Sequence, residues 1–211
     1  MKQYKIAVIG GTGKSGKYLV QELLRRNIPF KMLLRKTSLF ELHHHLIETI
    51  RGDVRDYEAV SGLLEGCSAL ISTLGQPARE TSVFSTATRN ILRAMEERNV
   101  RRYIVTTGLN VDAPGDQKNE LVRQATEWMY QHYPETTRDK QLEYDLLRTS
   151  DMDWTLVRLP LIVQTDAHFP VKTDRKDCPG EKISAADLAV FLVDQLTSKE
   201  QLRESPFIAN S

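Results

Sequence analysis

The chain has 211 residues, 29 Lys and Arg against 28 Asp and Glu for a net charge of +1, and 40% apolar against 27% charged residues. That balance excludes a polyanion binder, which needs a basic excess, and an acidic disordered tail. No apolar run approaches the ~18 residues of a membrane span, Ile6-Ala7-Val8-Ile9 is too short for a secretory segment, and Cys67 and Cys178 alone make neither a disulfide framework nor a zinc set; a cytoplasmic, one-domain protein over residues 1–211 is expected.

Tyr4–Ile9 reads as a buried strand, short, β-branched and ended by glycines. Lys14–Arg26 places Tyr18, Leu19, Val20, Leu23 and Leu24 on one side of a helix. Phe30–Leu34 predicts a second strand, Leu39–Ile47 a short helix, and Glu48–Gly52 a third strand ending at Asp53. A helix over Tyr57–Leu64 stops at Gly66, strand four covers Ala69–Leu74, and Val83–Asn99 is helical. Strand five is Tyr103–Thr107; helices over Asp116–Gln131 and Thr136–Thr149 are broken at Pro134; strand six, Trp154–Arg158, stops at Pro160. Ser184 opens the last helix, with Asp187 three residues on as in a capping box. Alternating strands and helices predict one α/β domain with a mostly parallel sheet covered on both faces.

The chemical signal is Gly10-Gly11-Thr12-Gly13-Lys14-Ser15-Gly16 between strand one and helix one. Gly10, Gly13 and Gly16 let the chain turn sharply, let a pyrophosphate reach the backbone, and let the helix pack close to the sheet. The helix N-terminus adds free N–H groups and a positive dipole end, and Thr12, Lys14 and Ser15 add hydroxyls and a charge. A nucleoside triphosphate loop is rejected. Its first glycine would fall on Val8, or in the other register its Ser/Thr on Tyr18, and Ser72-Thr73-Leu74-Gly75 has no carboxylate for a metal.

An NAD-selective site has an acidic residue at the end of strand two, roughly 20 residues on. Arg35-Lys36-Thr37-Ser38 stands there instead, which favours NADPH through Arg35 and Lys36. Asp53 reads equally as an adenine acceptor or as a turn residue. Gly75 closes strand four, where the ligand crevice of such a sheet opens.

Together these residues resemble the atypical short-chain dehydrogenase/reductase superfamily, and within it the branch of NAD(P)H-dependent flavin reductases, biliverdin reductase B and NmrA-like proteins. Gly10–Gly16, Gly52-Asp53-Val54, Leu74-Gly75, Arg89-Asn90-Ile91, Val105–Gly108, Ser150–Arg158 and Ile183–Ala189 carry the resemblance. It implies a single doubly wound Rossmann-like domain with strand order 3-2-1-4-5-6. It further implies that Gly10, Thr12, Gly13, Lys14, Ser15 and Gly16 meet the pyrophosphate, Arg35 the 2′-phosphate, and Asp53 with Val54 the adenine. Leu74, Gly75, Thr107, Lys140, Pro160, Leu161 and Ile162 would surround the nicotinamide half.

Carbonyl-reducing members use a Ser or Thr after strand five and a Tyr-x-x-x-Lys helix, the Tyr being the acid. Here Gly108 occupies the serine position, after Thr107, and Thr136 the tyrosine position before Lys140. Lys140 and Thr107 remain as catalytic candidates. Tyr144 reads as helix packing. Without the acid, an acceptor that spreads the incoming charge is implied, such as FMN, another flavin or a linear tetrapyrrole. A non-catalytic NAD(P)-binding redox sensor is the alternative.

Acceptor walls are expected from segments 109–133 and 162–182, with Asn110, Trp128, Met129, Tyr130, Tyr133, His168, Phe169 and Lys172 as candidates, although aromatics at helical spacing more often pack a core. His43-His44-His45 reads as part of an exposed helix rather than a metal site, and Cys178 as an exposed turn residue. The expected partner is a small-molecule acceptor, with no nucleic acid and no membrane, and the expected state is a monomer.

Overall fold

The computed structural model describes residues 5–35, 42–77 and 79–211. Strand β1 (Ile6–Ile9) pairs in parallel with β2 (Phe30–Leu34) on one side and β4 (Ala69–Ser72) on the other. Beyond them lie β3 (Ile47–Arg51), β5 (Arg102–Gly108) and β6 (Asp153–Leu159), giving the expected order 3-2-1-4-5-6. Alternate side chains serve opposite faces, as the pleat requires. Ala7 and Ile9 join the core under α2 (Tyr57–Leu64), α3 (Phe84–Arg98) and α5 (Pro134–Thr149), whereas Ile6 and Val8 join the core under α1 (Gly16–Arg25) and α6 (Ala185–Asp194). Both faces of β1 are therefore covered, and its whole length is buried.

Two strands extend the sheet beyond β6. β10 (Phe207–Asn210) pairs parallel to β6 at Arg158 and antiparallel to β8 (Val171–Asp174), which forms the edge. β7 (Leu161–Val163) and β9 (Lys182–Ser184) make a separate parallel pair. Ser184 caps α6 as predicted, its Oγ accepting the Asp187 N–H. Where β6 meets β10, Arg158 is wholly buried. Its guanidinium lies 3.6 Å from the Phe207 ring, donates to Asp116 Oδ2 at 2.6 Å, and donates to the carbonyls of Ser205, Val111 and Arg175.

Several expectations are corrected. Residues 42–46 are not helical, so the helix over 39–47 is absent from its described part (39–41 lie outside the described residues), and the three histidines are exposed on a loop. The helix expected from Asp116 is α4 (Glu120–His132), delayed because Pro114-Gly115 turns the chain and Asn119 provides the cap for Val122 N–H. Only Val122 of α4 is buried, in a small cluster with Cys178, Phe207 and Ala209, and Trp128 and Tyr133 are about half exposed, the rest of α4 packing mainly on α5. Cys178 is buried, its thiol donating to the Gly180 carbonyl. Tyr144 does pack, buried edge-on against Trp154. Among the described residues no helix is long and apolar enough to cross a membrane, and no side-chain cluster could hold a metal ion.

Candidate functional site

The turn after β1 is tightly constrained. Gly10 has φ +79°, and a Cβ there would stand 2.5 Å from the Thr73 carbonyl oxygen. A Cβ on Gly16 would meet the Gly10 oxygen at 2.0 Å, so the start of α1 sits directly on the strand end. Gly13 N–H closes the turn on Gly10 O at 2.9 Å. Ser15, the N-cap, makes no side-chain cap bond, and Thr12, Gly13 and Lys14 are exposed. The result is a bare backbone notch at a helix N-terminus with hydroxyl and ammonium groups around it. That is the donor set for a pyrophosphate.

At the adjoining ends of β2 and β3 stands a second polar group. Arg35 donates to Glu80 Oε1 at 2.8 Å, and Arg55 lies 2.9 Å from Glu80 Oε2. Asp53 accepts the Arg55 N–H at 2.9 Å, so its carboxylate shapes the turn, and Val54 is buried in the core. Asn90 on α3 donates to the carbonyls of Val54 and Arg55, fixing that loop from behind. Lys36 lies outside the described residues.

Farther along the carboxyl ends of the strands, Thr107 is 3% exposed, yet its Oγ1 has no hydrogen-bond partner among the described residues. Lys140 Nζ lies 4.9 Å from the centre of the Phe84 ring and 3.8 Å from where a Cβ on Gly108 would stand. Asp139 sets this arrangement. The N-cap of α3 makes no side-chain bond, and Asp139 from α5 instead accepts from Phe84 N, Ser85 N and Ser82 Oγ, locking the two helices together. Asn110 is buried with Nδ2 unpartnered, its Oδ1 filling the space a Gly108 side chain would need. Leu74 is partly buried and Gly75 exposed where β4 ends.

Glu143, one turn beyond Lys140, is 2% exposed and accepts a hydrogen bond from Thr88 at 3.0 Å. Burial pushes its carboxyl up to about 7, against the pull of the Lys140 ammonium and the Thr88 hydroxyl, and with a push from Asp139. Burial pushes the Lys140 amine down, with Glu143 opposing. Because the folded carboxyl titrates above its ordinary 4.5, the folded chain keeps this proton longer than the unfolded chain. The stability it contributes is complete below that ordinary value and is lost as pH rises through the folded one. Glu143→Gln should therefore flatten the decline of melting temperature between about pH 5 and pH 7. Thermal melts across that range check this, and a slope equal to the parent's would refute it.

Beyond β6, Pro160 is buried, Ile162 packs on the cluster of Tyr18, Ala185 and Ala189, and Leu161, Phe169 and Val171 are exposed. Asp187 holds this segment, accepting from Phe169 N, Asn210 Nδ2 and the His168 ring, whose Nδ1 is 2.7 Å away.

The sequence profile of a family described as NAD(P)H-binding matches residues 10–199. The chain belongs to that family. A curated relative, the isoflavone reductase homolog A622-like protein of Nicotiana tabacum, is 30% identical over 119 residues, which is 51% of this chain and 36% of the relative. The chain thus spans about a third of the length of such relatives. Among solved structures, ChuY, an anaerobillin reductase from Escherichia coli O157:H7, superposes with a TM-score of 0.82 at 17% identity over 98% of this chain and 97% of that one. A short-chain dehydrogenase/reductase from Veillonella parvula in complex with NADP gives 0.79 at 15% identity over 98% and 94%. These two share the fold.

The features above suit a dinucleotide: a bare glycine notch, cations after β2 and β3, and, near Gly108, a buried hydroxyl at the end of β5 and a half-buried amine of α5. In this NAD(P)H-binding protein, residue patterns alone did not reveal Glu80, Arg55, Asn90, Asp139 or the His168–Asp187 pair. Glu143 was findable, because it follows Lys140 by three residues and so shares its helix face.

Proposed function

We propose that the protein is an NADPH-dependent reductase that passes hydride to a flavin-like or other conjugated acceptor without a tyrosine acid. The observation that carries this reading is the group around Gly108, where Thr107 and Lys140 offer a hydroxyl and an amine while the tyrosine position is Thr136. When bound, the reduced nicotinamide supplies the hydride. The glycine turn would hold the pyrophosphate, Arg35 the 2′-phosphate, and Lys140 with Thr107 the nicotinamide ribose, so that the protein's contribution is orientation. An acceptor that delocalises the arriving charge can take its proton from solvent. Exposed apolar side chains beyond β6, Leu161 and Phe169 among them, suit a flat conjugated molecule. Reductase names among the relatives support the same reaction class.

The test is to mix the purified protein with NADPH and, separately, FMN, riboflavin, biliverdin or a quinone, following the nicotinamide absorbance. Turnover of at least one acceptor is expected, and Lys140→Ala should slow it about 10–100-fold through lost positioning. Tight NADPH binding with no turnover across the panel would instead make the protein a dinucleotide-binding redox sensor.

A further inference from the structure

We propose that Arg55 is the second arm of the 2′-phosphate clamp and that Glu80 is a built-in carboxylate competitor for it, so that Arg35, Glu80 and Arg55 together set the preference for NADPH over NADH. This rests on the NADPH reading above and deepens it.

Two guanidiniums from neighbouring strand ends converge on one carboxylate. Arg35 follows β2 and reaches Glu80 Oε1 at 2.8 Å, while Arg55 follows β3 and reaches Oε2 at 2.9 Å. A group with an oxygen for each arginine is what a phosphate monoester also offers, with more charge and a third oxygen. Arg55 is prepared for this role: its N–H is held by Asp53 and its carbonyl by Asn90, while its guanidinium, besides Glu80, lies 3.3 Å from Asp53 Oδ2 and donates to the Thr81 carbonyl at 3.5 Å. Glu80 is placed by Gln76, whose Nε2 donates to the Glu80 carbonyl at 2.9 Å. Hydrogen bonding from Arg35 holds the Glu80 carboxyl below its ordinary range, so it stays anionic at neutral pH.

Both arginines and Glu80 remain substantially solvent-exposed, with side-chain exposures of 51%, 31% and 38%. Exposed ion pairs are weak and exchange readily. A phosphate dianion arriving between the arginines therefore displaces Glu80, whereas the 2′-hydroxyl of NADH has no charge with which to do so. Glu80 keeps two neighbouring cations from repelling each other when no phosphate is present, and it competes with the phosphate when one arrives.

The experiment measures dissociation constants for NADPH and NADH by calorimetry on the full chain and on Glu80→Gln, Arg55→Gln and Arg35→Gln, with thermal melts to confirm folding. Arg55→Gln should weaken NADPH binding about tenfold and leave NADH within about twofold. Glu80→Gln should tighten NADPH at least about threefold and leave NADH unchanged. Equal changes for both nucleotides in these two variants would reduce Glu80 and Arg55 to loop supports and overturn the proposal. A loss confined to NADH in Glu80→Gln would overturn it too, by making Glu80 a reader of ribose hydroxyls. If Arg35→Gln lowers the NADPH preference while Arg55→Gln does not, the clamp fails but the NADPH reading stands. If Arg35→Gln leaves the preference untouched, the placement of the 2′-phosphate at β2 fails with it.

Discussion

Arg158→Met is expected to cost about 4 kcal/mol of stability, the range for removing one partner of a buried ion pair. For a chain of this size that corresponds to a fall in melting temperature of roughly 8–16 °C. Methionine fills much of the arginine's volume over the Phe207 ring, so the loss is polar rather than a cavity. Asp116 keeps a side chain only 11% exposed with its cation gone, the carbonyls of Arg175 and Ser205 lose the Arg158 donor, and that of Val111 keeps only Lys118. Those carbonyls belong to three separate connections that converge on this guanidinium. Coupling the change with Asp116→Leu removes the uncompensated carboxylate and should recover part of the loss. Differential scanning calorimetry on both variants is the check, and a single variant melting within 3 °C of the parent would sink the expectation.

Gly13→Glu is expected to weaken NADPH binding about 100-fold while leaving the fold nearly unchanged. A carboxylate about 5 Å from a pyrophosphate charge, at an effective dielectric near 20, opposes it by about 3 kcal/mol. The folded state tolerates the change because Gly13, unlike Gly10 and Gly16, is exposed, and a Cβ there meets only the Gly10 oxygen, at 3.2 Å. The new carboxylate would also sit at a helix N-terminus, a small stabilising placement when nothing is bound. Calorimetry should show the affinity loss and a melting temperature within a few degrees of the parent. Affinity equal to the parent's would mean that the pyrophosphate does not rest in this notch.

The central fold was legible because local pattern and final environment agree. β2 and α2 fall on the predicted residues, since Phe30–Leu34 is an uninterrupted strand-length run bounded by turn residues and Tyr57–Leu64 has a capping aspartate. β7 to β10 were not legible. Each is three or four residues long, and β8, fully exposed, has no buried face to give its sequence an alternating pattern. α4 misled in the opposite sense, because its aromatics at helical spacing suggested core packing, whereas Val122 alone of its residues is buried.

The site divides along similar lines. Glycine spacing reports backbone geometry directly, so Gly10, Gly13 and Gly16 could be read from the chain itself. Thr107 and Lys140 came through family resemblance, and the structure places both at Gly108. The residues that organise them were hidden, because Asp139 meets Ser82 across 57 positions and Glu143 meets Thr88 across 55. Asp53 holds its own turn, as one of its two readings has it. Arg35 stands at the predicted strand end but shares a carboxylate with Arg55, a pairing with no trace in local sequence.

The position of β10 between β6 and β8 has a consequence for how the molecule is made. β8 leaves the ribosome well before β10, the strand that hydrogen-bonds to it among the described residues. The glycines, arginines and α5 of the proposed nucleotide cradle, by contrast, come from chain already emerged by then. Withholding Phe207–Asn210 therefore leaves the glycine turn, the arginines and α5 in the chain but strips β8 of its hydrogen-bonded neighbour.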